Sequence, residues 1–227
     1  AAKSAAEALD KTKELGLHSW ESFPAHVPMT ADPAKLKQMQ DQLAAAGVKL
    51  AGYGVVRFSD NLDANRVYFE FAKAMGIEYL SADPDPGSFD VLDKLVERYG
   101  VAVGIHNHGP GHRYATIESI EKAIKDHHPK IGLCNDTGHF LRSGIDPVHA
   151  VEAFGKRTYG VHLKDVKGTD TFTVLGEGDL RIVDLLRALK KIDYSYCLAL
   201  EYEEHPENPM AEIQQCLAAT RAAIAKI

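Results

Sequence analysis

A chain of 227 residues, 45 % apolar and 26 % charged, can bury a substantial core without disulfide or metal staples. Its net charge of −6, with no Lys/Arg run longer than two residues, argues against a nucleic-acid partner. Cys134, Cys197 and Cys216 are widely spaced and offer no CxxC pair or disulfide framework, and no run of about 18 apolar residues is available to cross a membrane.

The first stretch, "AAKSAAEALDKTKELG", lacks the charge layout of a signal peptide and reads as a helix, so the expected location is cytoplasmic. "LGLHSWESF" is a short segment of alternating character. "DPAKLKQMQDQLAAAG" has helical spacing between an Asp32–Pro33 start and a Gly47 stop. "VKLAGYGVV" predicts a strand and "DANRVYFEFAKAMG" a helix ending at Gly76. Strand "IEYLSA" precedes helix "SFDVLDKLVERYG", and strand "VAVGIH" precedes helix "TIESIEKAIKDHH". Strand "IGLCND" precedes helix "DPVHAVEAFG", which has Pro147 in its first turn. Strand "TYGVHLKD", helix "IVDLLRALKKI", strand "YCLALEY" and a last helix in "NPMAEIQQCLAATRAAIAKI" complete the chain.

Regular strand–helix alternation with near-continuous apolar strands implies an α/β fold with a buried parallel sheet. No GxGxxG opens a first helix, so a dinucleotide fold has no support. No Pro/Ser-rich linker divides the chain, and residues 1–227 read as a single domain. The repeat favours a TIM-type (β/α) barrel. Seven strands are visible and the first element is a helix, so the first strand of a full barrel is apparently missing. The edge this leaves could be filled by a partner chain, which makes a homo-oligomer compatible with the sequence.

Four successive strands end in groups able to hold a metal or move a proton: His106-Asn107-His108, Asn135-Asp136-Thr137-Gly138-His139, His162 with Lys164-Asp165, and Glu201-Tyr202-Glu203-Glu204. In a parallel barrel these ends share one face, where active sites are built. Singly, each has an ordinary reading: a hydrogen-bonded strand-end histidine, a turn or cap aspartate in "NDTG", a solvated rim glutamate. His112, His127 and His128 read as surface residues. Jointly, two histidines, an aspartate and a glutamate form a mixed N/O donor set suited to one divalent Zn, Mn, Co or Fe ion. His106 and His108 lie on one side of their strand, above the small residues Gly104 and Ala102.

The segments "IHNHG" (105–109), "GLCNDTGHF" (132–140), "YGVHLKD" (159–165), "LGEGDL" (175–180) and "LALEYE" (198–203) resemble those of the xylose isomerase-like barrels, the sugar phosphate isomerase/epimerase superfamily. The resemblance runs from about Leu9 onward. It implies that His106, Asp136, His162 and Glu201 bind the metal and that Glu201, with His106, is catalytic. It places His108, His139 and Lys164 at the substrate. The implied activity is a metal-dependent sugar isomerase or epimerase that abstracts a proton beside a carbonyl through a metal-stabilised enediolate. A keto-sugar (3-keto-glycoside) lyase is the variant on the same site. Many epimerases carry a second glutamate where this chain has His106, so a two-glutamate proton shuttle is not implied. The superfamily also contains apurinic-site endonucleases. Their three-metal site needs further His and Asp ligands, and "VKGTDTFTVLGEGDL" has no histidine to supply one; a non-catalytic sugar-binding barrel is the other alternative. The expected partner is a small sugar or keto-sugar, with no nucleic acid and no membrane.

Overall fold

The computed structural model describes Ala2 and Ser4–Ile227. In chain order the elements are α1 (Ala5–Glu14), β1 (Ser19–Ser22), α2 (Pro33–Ala46), β2 (Lys49–Phe58), α3 (Leu62–Met75), β3 (Tyr79–Pro84), α4 (Phe89–Tyr99) and β4 (Ala102–His106). They continue with α5 (Ile117–Ile124), β5 (Ile131–Asp136), α6 (Thr137–Arg142), α7 (Pro147–Phe154), β6 (Thr158–Leu163), β7 (Asp165–Lys167), β8 (Thr171–Thr173), α8 (Ile182–Lys191), β9 (Leu198–Leu200) and α9 (Met210–Ile224). The seven strands expected form one sheet in the order β1-β2-β3-β4-β5-β6-β9, with β1–β2, β2–β3, β5–β6 and β6–β9 pairing parallel.

Each expected helix is present, and the starts of several follow from side-chain chemistry. Asp32, Asn61, Thr116 and Asp146 cap α2, α3, α5 and α7 by accepting backbone N–H groups of the first turn. Thr116 and Ser119 bond each other's backbone in a reciprocal capping box. Gly47 and Gly76 end α2 and α3 at φ of +65° and +71°, which residues with a Cβ rarely adopt. Of the turn and cap readings of Asp136 in "NDTG", the structure shows the cap, at the start of α6, and the stretch after β6, for which the sequence predicts no element, folds as an antiparallel hairpin, β7–β8.

Two compact units divide the described chain. Ala2–Gly104 with Asp126–Ile131 is one unit, and Ile105–Lys125 with Gly132–Ile227 is the other. The first is built around fully buried Tyr53, Phe58, Phe69, Tyr79, Leu80 and Leu92. Within it, Tyr53 packs edge-on against Phe71 and donates its hydroxyl to the carbonyl of Val27. Burial pushes that hydroxyl's pKa up to about 12, so it stays a donor. The second unit has its own core, in which Val151, Val161, Leu163, Leu175, Leu185, Leu186 and Leu189 meet Cys216. No helix among the described residues is long and apolar enough to cross a membrane.

The second unit is also pinned by a buried carboxylate. Asp165 accepts the backbone N–H groups of Val166, Gly176, Gly178 and Leu180 at 2.8–3.2 Å. This folds "LGEGDL" back over the start of β7. Gly178 permits the approach, because a Cβ there would lie 2.3 Å from Asp165 Oδ1.

Candidate functional site

Register places the site residues side by side. Asp136, the last residue of β5, pairs with His162 of β6, and Leu163 pairs with Leu200, directly before Glu201. Glu201 continues that pairing by donating its N–H to the carbonyl of Leu163 at 3.0 Å. His106 ends β4. Ligand atoms of His106, Asp136, His162 and Glu201 all lie within 4.8 Å of one another.

Asp136 does two things at once. Its Oδ1 caps α6 by accepting the His139 N–H at 2.7 Å. Its Oδ2 is buried with no hydrogen-bond partner among the described residues. That oxygen lies 3.5 Å from His106 Nε2 and 4.0 Å from His162 Nδ1. Backbone placement of Asp136 comes from fully buried Asn107, whose amide donates to the Asp136 carbonyl at 2.8 Å and accepts its N–H at 2.7 Å.

The other members close the group. His106 Nε2 and His162 Nδ1 are 3.2 Å apart, and His162 Nδ1 is 2.9 Å from Glu201 Oε2. Ligands on a tetrahedral ion at about 2.0–2.1 Å stand ~3.4 Å from one another, which these spacings bracket. With the buried, unpartnered Asp136 oxygen and an N/O donor set, the residues fit a divalent metal. On the far side of Glu201, buried Lys164 donates to Oε1 at 2.8 Å and also pairs with Glu203. Lys164 is held in turn by Thr137, whose hydroxyl bonds the Lys164 N–H and carbonyl at 2.9 and 2.6 Å.

These contacts set the charges. Burial alone would raise the Glu201 pKa. The hydrogen bond and charge of His162, then the charge of Lys164, overturn that and hold it well below the usual carboxylate range. Asp136 shows the same contest: desolvation pushes up, while the His106 imidazole 3.5 Å from Oδ2 wins and the net direction is down. His139 moves down because burial, reinforced by the charges of Lys164 and His106, outweighs Asp136 and Glu201. Lys164 moves up, since Asp136 and Glu201 outweigh its desolvation.

His108 and His139 border the four. The His108 ring is 4.8 Å from that of His106, and the His139 ring is 5.9 Å from each. Arg142 Nη1 lies 3.3 Å from His139 Nδ1; a guanidinium can only donate, so Nδ1 accepts and the His139 proton sits on Nε2. Phe172 of the hairpin takes Lys164 Nζ 4.8 Å and the Arg142 guanidinium 5.3 Å from its ring centroid. The surface reading of two histidines is corrected. The His112 ring packs 4.2 Å from His108, and His127 bonds Asp93 at 2.9 Å.

Asn107, Arg142, Phe172 and Glu203 were not singled out from the sequence. Asn107 sits between two histidines, on the opposite side of the strand by alternation. Arg142 lies one helical turn after His139, a spacing visible only once "DTGHFLR" is read as a helix.

Comparison with known proteins agrees with this architecture. A family model described as xylose isomerase-like TIM barrel matches residues 9–222. The Rhizopine catabolism protein MocC of Rhizobium meliloti is 30 % identical over 135 residues, 52 % of this chain and 41 % of that protein. An inosose dehydratase of Clostridium tetani (strain Massachusetts / E88) is 29 % identical over 140 residues, 52 % of this chain and 47 % of that protein. The chain thus spans under half the length of these two relatives. Among solved structures, the IOLI protein with a bound zinc atom superposes with a TM-score of 0.77 at 21 % identity, over 96 % of this chain and 92 % of that one, a likeness of fold.

Proposed function

Because the chain belongs to the xylose isomerase-like TIM barrel family, we propose that it is a divalent-metal-dependent enzyme acting on a keto-sugar or keto-polyol, by proton abstraction beside the carbonyl and loss of a β-hydroxyl as water. The observation that carries this reading is the convergence of His106, Asp136, His162 and Glu201, with one oxygen of buried Asp136 left without a hydrogen-bond partner among the described residues. Relatives named inosose dehydratases support the dehydration outcome.

The four residues would hold the metal. When bound, it would serve as a Lewis acid toward a carbonyl and a neighbouring hydroxyl, making the adjacent C–H more acidic. Glu201 is the base: Lys164 and His162 keep it ionised, and Lys164 orients Oε1. Glu201 takes the proton, the C–H electron pair becomes part of a C=C bond, and the same carboxyl returns the proton to the departing hydroxyl, giving water. One carboxylate suffices for this sequence, and His106 stands where a two-base epimerase would carry its second. His139, with its proton on Nε2, is a hydrogen-bond donor to substrate oxygen, and His108 is its neighbour.

Isomerisation or epimerisation is the competing outcome, in which the proton returns to carbon. The test is to incubate metal-loaded protein with keto-polyols, inosose included, in D2O. Expected are an enone-type product that absorbs in the ultraviolet and loss of its formation in Glu201→Gln. Deuterium in a saturated product of unchanged mass formula would instead establish the isomerase or epimerase. Turnover without dependence on Glu201 would refute the reading.

A further inference from the structure

Arg142 is a half-buried cation that no carboxylate among the described residues neutralises. Its Nε is buried without a hydrogen-bond partner among the described residues. Its polar contact is His139 Nδ1 at 3.3 Å, and its guanidinium carbon lies over the Phe172 ring at 5.3 Å. Two other arginines are neutralised by carboxylates: Arg66 by Asp63 and Glu70, Arg181 by Asp146 and Asp184. Lys164, the other cation at Phe172, already holds two carboxylates. A half-buried guanidinium loses hydration, and without an anion nothing offsets the loss.

The position is one imidazole away from the candidate metal ligands, since the His139 ring lies between Arg142 and His106. Gly109 borders the guanidinium: an added Cβ there would stand 3.1 Å from Arg142 Nη1. A side chain there would fill the approach to the guanidinium.

We propose that Arg142 is a specificity residue that reads a carboxylate on the substrate, so that the substrate class is a sugar acid rather than a neutral sugar. This rests on the function proposed above and narrows it. A guanidinium presents parallel N–H donors matched to the two oxygens of a carboxylate. One unmatched positive charge, beside an imidazole that lends no second charge, suits a monoanion better than a phosphate dianion. The guanidinium carbon lies over the Phe172 ring, 5.3 Å from its centroid.

The test measures binding of D-glucuronate, D-glucose and D-glucose 6-phosphate by ligand-detected NMR titration, with zinc and again with chelator. It compares wild type, Arg142→Met and Arg142→Lys. Zinc content is measured on every sample. Wild type should bind glucuronate at least tenfold more tightly than glucose and more tightly than the phosphate. Arg142→Met should bring glucuronate and glucose within twofold at unchanged zinc content, and Arg142→Lys should keep part of the preference. A preference that survives in Arg142→Met, a phosphate that binds best, or no preference in wild type overturns the inference. Protein that binds zinc and passes the D2O test yet shows no preference refutes this inference alone. A glucuronate preference that depends on Arg142 in protein without metal or turnover refutes the functional reading alone.

Discussion

Asn107→Ala tests whether the site is built from its backbone outward. Fully buried Asn107 makes two hydrogen bonds of 2.7 and 2.8 Å with the N–H and C=O of Asp136. Truncation leaves both backbone groups without these partners, at about 1–3 kcal/mol each, so a loss of roughly 2–6 kcal/mol in unfolding free energy is expected. Asp136 also loses the clamp that aims Oδ2 at His106 and His162. Removing such outer support typically costs about 10–100-fold in metal affinity. Urea unfolding gives the first quantity, and calorimetric zinc titration of folded protein gives the second. Asn107→Asp separates the two effects, since one oxygen can still accept the Asp136 N–H while the other faces the Asp136 carbonyl. The alanine variant should be the weaker zinc binder of the pair. A stability loss under about 1 kcal/mol together with zinc affinity within twofold of wild type would refute the reasoning.

Asp165→Asn keeps shape but turns one oxygen into a donor facing other donors. With Gly176 and Gly178 N–H groups opposed at Oδ2, a loss of roughly 2–6 kcal/mol is expected by urea unfolding, and less than about 1 kcal/mol would contradict the clamp. For acid stability, Glu201 has a folded pKa below its unfolded value of about 4.3. Its contribution is therefore complete above that value and is lost as pH falls through the folded pKa. Metal-free wild type should lose stability more steeply below pH about 4.3 than Glu201→Gln does, and equal slopes would show that the carboxylate is not stabilised by His162 and Lys164.

Much of the fold was written into local pattern. Apolar runs such as "VAVGIH" and "IGLCND", broken by capped amphipathic helices, can bury themselves only as parallel strands under helices, and the seven strands are all present. Strand-end chemistry was equally visible, because alternation puts His106 and His108 on one side and parallel pairing gathers the C-terminal ends. Local reading failed where a residue's role depends on a distant partner. "NDTG" allows a turn or a cap, and what its composition does not reveal is that the backbone of the capping Asp136 is held by Asn107, 29 residues earlier. "GEGD" shows two acids to the sequence reader, whereas the loop is shaped by Asp165 through backbone N–H groups that composition does not reveal. Lys164 was visible as a strand-end cation. Only the folded register brings it to Glu201 and Glu203, 37 and 39 positions away, so the charge state of the candidate base belongs to the tertiary structure. The same holds for Arg142: the sequence supplies a guanidinium, and only packing shows that no carboxylate among the described residues answers it. Periodicity is a property of neighbours along the chain and survives without the fold. Hydrogen-bond partners and counter-ions are properties of neighbours in space, which many sequences could arrange differently over the same strands.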